Sequence, residues 1–138
     1  NAVSGKKVVL IDDSIVRGTT SVKIVELMRQ AGAREVHMKI ASPPIKYPDF
    51  YGIDTPEKAQ LLASLKSEKE MAVYIGADSL SFLSVDGLYR AMGYEKGRDD
   101  TNPAFTDHCF TGDYPTPLED NNIAWLFETS QLSVRNEN

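Results

Sequence analysis

Apolar residues change their spacing along the chain, and the changes mark the elements. Val8, Val9, Leu10 and Ile11 form an unbroken apolar run after two lysines, the pattern of a strand buried on both faces of a parallel sheet. Asp12 and Asp13 end it abruptly. After a short loop, Ile24, Leu27, Met28 and Ala31 recur at helical spacing, with N-cap hydroxyls offered by Thr19, Thr20 and Ser21 and a stop at Gly32. Val36, Met38 and Ile40 then alternate with His37 and Lys39, as in a strand with one less buried face. Strand, helix and strand make one βαβ unit, which predicts a parallel sheet and a right-handed crossover.

Prolines 43, 44, 48 and 56, with Tyr47, Phe50 and Tyr51 between them, predict an ordered loop from Ser42 to Pro56. Pro56 is expected to open a helix over Glu57 to Leu65, and Ser67 to cap a second one reaching Tyr74. Ala77 to Phe82 reads as a short strand or extended link. Ser84, with Asp86 in the following turn, opens another helix whose stripe of Val85, Leu88, Tyr89 and Met92 is expected in the core, and Gly93 ends it. Residues 95 to 103 are polar and read as a mobile loop. A last helix is expected from Leu118 to about Thr129, before a frayed tail. The fold class is therefore α/β, built on a parallel sheet with a helical carboxyl-terminal extension.

A length of 138 residues corresponds to one domain at roughly 100 to 200 residues each. With 41% hydrophobic and 25% charged residues, the chain has the composition of a soluble globular domain, and it has no apolar run long enough for a membrane span. A net charge of -5 argues against nucleic acid or an anionic membrane as the main partner and turns attention to small molecules. A single cysteine, Cys109, excludes an internal disulfide and a four-thiolate centre, and fits a reducing, cytoplasmic setting. The opening NAVSGKK resembles neither a secretory signal nor a transit peptide. A chain that starts at Asn1 and enters a strand within seven residues is expected to be part of something longer.

The segment that carries chemistry is VVLIDDSIVRGTTS, Val8 to Ser21. In open α/β sheets ligands bind beyond the carboxyl ends of the strands, and this loop lies at such an end, just before a helix. The first N–H groups of that helix and its dipole favour an anion. Gly18 lets the backbone approach a phosphate, Thr19, Thr20 and Ser21 add hydroxyls, and Arg17 brings positive charge. Ionised Asp12 and Asp13 accept hydrogen bonds only, so they suit the two hydroxyls of a ribose, or Mg²⁺, rather than the phosphate. An isolated aspartate pair commonly just caps a turn. Here the strand before it and RGTTS after it favour a site for a phosphorylated sugar. The glycine-lysine loop of nucleotide triphosphatases is absent, because no Gly precedes Gly18 at the required spacing and no Lys follows it.

This fourteen-residue string resembles the signature of type I phosphoribosyltransferases, and DDSIVRGTTS is similar to that of the amidophosphoribosyltransferase family in particular. ASPPIKYPDFYGIDTP, IGADSLSFLSVDGLYRAMG and HCFTGDYPTP resemble the carboxyl-terminal part of the same family, so the resemblance covers nearly the whole chain. It implies a partial type I phosphoribosyltransferase fold of Rossmann-like kind. It also implies the first step of purine (IMP) synthesis, in which ammonia from glutamine displaces pyrophosphate from phosphoribosyl pyrophosphate to give 5-phosphoribosylamine. Carried over by position, Asp12 and Asp13 would contact the ribose hydroxyls and Mg²⁺, while Ser14, Val16, Arg17, Gly18, Thr19 and Thr20 would hold the 5-phosphate. Such a displacement depends on positioning and charge stabilisation, and no catalytic base is expected. Purine nucleotides, which inhibit members of the family, would compete at Asp12 to Thr20.

The chain also departs from the family pattern. A glutaminase domain whose first mature residue is cysteine has no counterpart here, where position 1 is Asn1, and neither do the earlier strands and flap of the phosphoribosyltransferase domain. The expectation is a fragment without glutaminase activity that does not complete transfer alone and that exposes apolar edges to the remainder of the enzyme or to a second copy. Cluster-bearing relatives have cysteines where this chain has Asp49 and Thr106, so no iron-sulfur cluster is expected and Cys109 reads as a leftover or core thiol. Asp107, His108 and Cys109 are adjacent and lack metal-ligand spacing. His37 reads as a surface or satisfied histidine, and SPPIKYP as part of the site wall. Two other functions compete. A non-catalytic module that senses phosphoribosyl pyrophosphate would be expected to carry a DNA-binding segment and basic surface, and a transferase acting on orotate or hypoxanthine would not carry GADSLSFLSVDGL and CFTGDYPTP.

Overall fold

The computed structural model describes residues 2–118. Past Leu118 itself, the expected helix from Leu118 to about Thr129 and the tail beyond it lie outside this range. Three parallel strands, β1 (Lys7–Asp12), β2 (Glu35–Ile40) and β3 (Ser79–Phe82), form a sheet in the order β1-β2-β3. Asp12 pairs with Ile40, and Ile40 with Phe82, so all three strands end level and their loops leave from one edge.

Two helices cover one face of this sheet. α1 (Thr19–Gln30) connects β1 to β2, and α3 (Glu68–Ile75) precedes β3. Val25 of α1 and Met71 and Ile75 of α3 are buried against Val36, Met38 and Ile40. Ser67 caps α3 in a reciprocal box: its hydroxyl accepts from the Glu70 N–H, and the Glu70 carboxylate accepts from the Ser67 N–H at 2.7 Å. Gly32 ends α1 at φ 88°, a left-handed conformation that lets the Ala33 N–H reach back to the Met28 carbonyl.

The opposite face of the sheet differs from the expectation for β1. Val9 is 59% exposed and Ile11 79%, so the apolar run is buried on one side only. Beside them on this face stand His37 and Lys39, then Ser79 and Ser81, in strand register. No described helix packs there, so the alternation expected of β2 holds for β1 as well. His37 is satisfied as the sequence suggests, by Ser79 Oγ at 2.8 Å and Glu35 Oε2 at 3.1 Å.

The helix expected over Glu57 to Leu65 is broken. A 3₁₀ turn covers Lys58–Gln60, Leu61 is extended at φ -79° and ψ 113°, and a single turn, α2 (Leu62–Leu65), follows. Pro56 therefore stands ahead of a 3₁₀ turn and not at the start of an α-helix. The buried Leu61 side chain, and a Leu62 N–H turned toward the β1–α1 loop, account for the break.

Ser84 caps α4 (Val85–Ala91) by accepting from the Gly87 N–H. Of the stripe expected in the core, Tyr89 is 1% exposed and Val85 and Leu88 are half-buried, while Met92 is 59% exposed. Residues 95 to 103 are tied down, contrary to the mobile loop expected. Arg98 donates to Asp107 at 2.7 Å and 3.2 Å, to Asp113 at 2.6 Å and to Asp100 at 2.7 Å, and Asp107 also accepts from Tyr89 at 2.7 Å. Burial alone would raise the Asp107 carboxyl pKa, but hydrogen bonds from Arg98, Tyr89 and Thr111 hold it below the usual range. No described helix is long and apolar enough to cross a membrane.

One carboxylate links α1 and β2 to the entry of β3. Asp78, just before β3, accepts from the Val36 N–H and from Arg29, each at 2.6 Å, and these bonds hold its pKa below the usual carboxylate value. A depressed folded-state pKa adds stability that is present above the unfolded value of about 3.9 and fades as pH falls through the folded value. Asp78→Ala is therefore expected to lower the thermal midpoint at pH 7, and the gap from the parent should narrow on acidification below about pH 4. A gap of constant size down to pH 2, measured by circular dichroism, would contradict this role.

Candidate functional site

Where β1 ends, the chain makes a tight loop into α1, and residues 12 to 21 line a cavity of 280 Å³. Every site residue expected from the sequence lies on this wall: Asp12, Asp13, Ser14, Val16, Arg17, Gly18, Thr19 and Thr20. The acidic end is organised locally. The Asp12 carboxylate accepts from the Asp13 N–H at 3.0 Å, and Asp13 accepts from the Ser14 hydroxyl at 3.3 Å. Asp13 is exposed and Asp12 half-buried, and no ion pair among the described residues engages either one. Both retain oxygens for a ligand. Between the acidic pair and the helix, buried Ile15 fixes the loop to the core beside Leu62.

The helix end of the cavity is left open to an anion. Gly18 is the N-cap of α1, at φ 80°, and its carbonyl accepts the first helical bond from Val22 at 3.0 Å. Contrary to the expectation of hydroxyl caps, no side chain among the described residues caps this helix, and its first turn carries no acidic residue. α3 and α4 are both serine-capped and carry carboxylates in the first turn. At α1 the leading N–H groups keep their hydrogen-bonding capacity and the positive end of the dipole is unopposed. Thr19 and Thr20 are exposed, whereas Ser21 is only 2% exposed and lines the inner end of the cavity.

Two contacts with the residues before α2 shape the cradle, and neither was legible in sequence. The Leu62 N–H donates to the Val16 carbonyl at 2.9 Å, and Arg17 donates to Gln60 Oε1 from Nε at 3.1 Å and from Nη2 at 2.9 Å. These bonds span 43 residues for Arg17 and Gln60, which no local pattern encodes. They set the guanidinium beside the cavity. The SPPIKYP loop, expected to form part of the wall, does not line the cavity. Its Lys46 and Tyr47 N–H groups donate to the Cys109 carbonyl, so it packs on the short helix α5 (His108–Thr111).

A parallel sheet with an uncapped helix end and an acidic pair at one strand terminus is an α/β unit whose ligand site lies beyond the carboxyl ends of its strands. The relatives narrow this class. No protein-family model matches the chain. It is 64% identical over 121 residues to the amidophosphoribosyltransferase of Rhizobium etli, covering 87% of this chain and 24% of that protein. The enzyme of the same name from Bacillus subtilis is 56% identical over 116 residues, covering 84% and 24%. Amidophosphoribosyltransferase 2, chloroplastic, of Arabidopsis thaliana is 52% identical over 119 residues, covering 86% and 20%. Among solved structures, the B. subtilis glutamine phosphoribosylpyrophosphate amidotransferase complexed with ADP and GMP superposes with a TM-score of 0.75 at 55% identity, covering 86% of this chain and 26% of that one. A structure described as the allosteric regulatory enzyme of purine biosynthesis gives 0.74 at 55% identity, covering 86% and 25%. Over most of its length the chain is thus homologous to part of an amidophosphoribosyltransferase, and it spans about a quarter of the length of the bacterial relatives it matches.

Gly18 is the residue on which the cradle turns. A methyl group there would lie 2.6 Å from Leu62 Cδ2 and 3.3 Å from Tyr74 Cε1, in addition to the positive φ. Gly18→Ala is expected to cost about 1–3 kcal/mol, the scale of a strained left-handed residue. Urea denaturation checks this, and an unshifted midpoint would show that the loop relaxes freely.

Proposed function

We propose that this chain is the phosphoribosyl pyrophosphate-binding, carboxyl-terminal part of the phosphoribosyltransferase domain of an amidophosphoribosyltransferase. In this reading the intact enzyme makes 5-phosphoribosylamine from phosphoribosyl pyrophosphate and glutamine-derived ammonia, the first step of purine (IMP) biosynthesis. The observation that carries the reading is the placement of an acidic pair and an open helix amino terminus on one cavity wall of 280 Å³. Opposite ends of one small ligand, hydroxyls and phosphate, meet the acceptors and donors they need.

Asp12 and Asp13 suit Mg²⁺ as well as ribose, since that ion is commonly held by one or two carboxylates together with substrate oxygens and water. When bound, it supplies charge neutralisation to the departing pyrophosphate. The backbone of Val16 to Thr20, with Ser14 and the Thr19 and Thr20 hydroxyls, holds the 5-phosphate. Arg17, oriented by Gln60, adds positive charge. The reaction develops positive charge at the anomeric carbon and negative charge on the leaving group, so the task of these residues is to fix geometry and field rather than to move a proton. The glutamine-hydrolysing portion and the remaining strands belong to other parts of the enzyme. A nucleoside 5′-phosphate presents the same ribose and phosphate, so purine nucleotides fit as competitors at Asp12 to Thr20, and the ADP and GMP complex of the B. subtilis relative agrees with this. A reducing compartment such as the cytoplasm is part of this reading, in keeping with the single cysteine.

If Asp12 and Asp13 hold ribose and Mg²⁺, changing both to Asn should weaken Mg²⁺-dependent binding of phosphoribosyl pyrophosphate more than tenfold, or about 1.4 kcal/mol. Titration calorimetry, with ATP as the control ligand, measures it. Unchanged affinity would remove these residues from the site.

The sheet face that carries Val9 and Ile11 is the surface on which the rest of the enzyme, or a second copy of the chain, would seat. Unpartnered, it should drive association, so the isolated chain is expected to scatter light as a species larger than a monomer, and Val9→Thr with Ile11→Thr should shift it toward one. A stable monomer in the parent chain would show that this face needs no cover.

A further inference from the structure

Away from the cradle, the fold assembles a second group of residues that the sequence keeps apart. Asp49 lies in the loop after β2, and His108 and Cys109 open α5, 59 residues later. Sequence spacing gives His108 and Cys109 no third ligand, but folding supplies one. The Asp49 carboxylate oxygen, a His108 ring nitrogen and the Cys109 sulfur all lie within 4.8 Å of one another. We propose that Asp49, His108 and Cys109 bind a single divalent cation of the zinc class, which ties the loop after β2 to α5.

The ligand set is mixed, one oxygen, one nitrogen and one sulfur, and such borderline donors suit Zn²⁺ better than Mg²⁺ or Ca²⁺. The carboxylate is already oriented. One oxygen of Asp49 accepts from the Tyr51 N–H at 2.9 Å and the Ile53 N–H at 2.7 Å, leaving the other for His108 Nε2 at 2.6 Å. That is the outer support a metal-ligating carboxylate requires. Cys109 is placed by its own carbonyl, which accepts from Lys46 and Tyr47.

The ligands are also shielded: the side chains of His108 and Asp49 are only 6% and 2% exposed, so water competes little for them. Zinc bonds of about 2.0 to 2.3 Å place tetrahedral ligands roughly 3.3 to 3.8 Å apart, so the three groups need to shift by only about 1 Å. A cavity of 560 Å³ lined by Tyr51, Ile53, Thr106 and Phe110 adjoins them and has room for water in the fourth position. A thiol ligates as the thiolate, so binding is expected to release a proton.

Titration of the complete 138-residue chain with Co²⁺ tests the proposal. One equivalent should produce the near-ultraviolet thiolate-to-cobalt absorption and the visible bands of a tetrahedral site, and Zn²⁺ should abolish them by displacement. Cys109→Ser should remove the charge-transfer band, and His108→Gln should weaken Zn²⁺ binding at least tenfold. Cys109→Ser is a mild replacement because the thiol makes no hydrogen bond among the described residues, and its circular dichroism spectrum should match the parent's. No thiolate band in the parent chain, or equal Zn²⁺ affinity in the parent and both variants, would overturn the proposal and leave His108 and Asp49 as a buried hydrogen-bonded pair.

Discussion

The left-handed turn at Gly18 is the constraint on which the rest of the site depends. Its positive φ swings the chain from β1 into α1 within the few residues after Asp12, and the absence of a side chain lets Leu62 close beneath it. Only glycine meets both demands at low cost. With Leu62 there, its N–H reaches the Val16 carbonyl, and the segment ahead of it brings Gln60 to Arg17. The break at Leu61 follows from this arrangement. A continuous helix through this stretch would direct the Leu62 N–H at the carbonyl four residues back instead of across to the loop. The cradle and the interrupted helix beneath it are therefore one structure.

The cradle was legible in the sequence because its residues are contiguous. An apolar run, two acceptors, a glycine and a row of hydroxyls follow one another from Val8 to Ser21, and local backbone geometry alone gathers them at the strand end. The same holds for β2 and α3, where a single period and a serine cap decide the element. What the sequence did not disclose was long-range. Gln60 meets Arg17, Asp78 meets the Val36 N–H, Arg98 gathers Asp107 and Asp113, and Asp49 meets His108 across 59 residues. None of these pairs shares a period. The polar stretch from 95 to 103 read as loose for this reason: its order comes from one arginine whose partners lie farther along the chain.

β1 was misread for another physical reason. Four apolar residues in a row are the usual mark of a strand covered on both faces, and the composition of β1 fits that environment. Among the described residues one face is covered, so Val9 and Ile11 lie open. The pattern and the observed burial can both hold if the composition of β1 was fitted to a larger assembly, of which this chain spans about a quarter by comparison with its bacterial relatives. Strand composition then records an environment that the described residues do not supply.

The covered and open faces divide the labour of the molecule. The apolar supports of the cradle, Ile15, Leu62 and Val25, belong to the core packed on the helix-covered side of the sheet. The exposed Val9 and Ile11 side chains point the other way and share no element with those supports except β1 itself. Formation of the cradle therefore does not require the open face to be covered. On the proposed function, cover would add closure: a second wall over the acidic pair, exclusion of water, and the groups that deliver the nucleophile. Ground-state binding would then reside in this part of the chain while transition-state stabilisation waits on the rest, because holding a ribose phosphate needs donors and acceptors in place, whereas displacing pyrophosphate needs a closed, low-dielectric site around the reacting carbon.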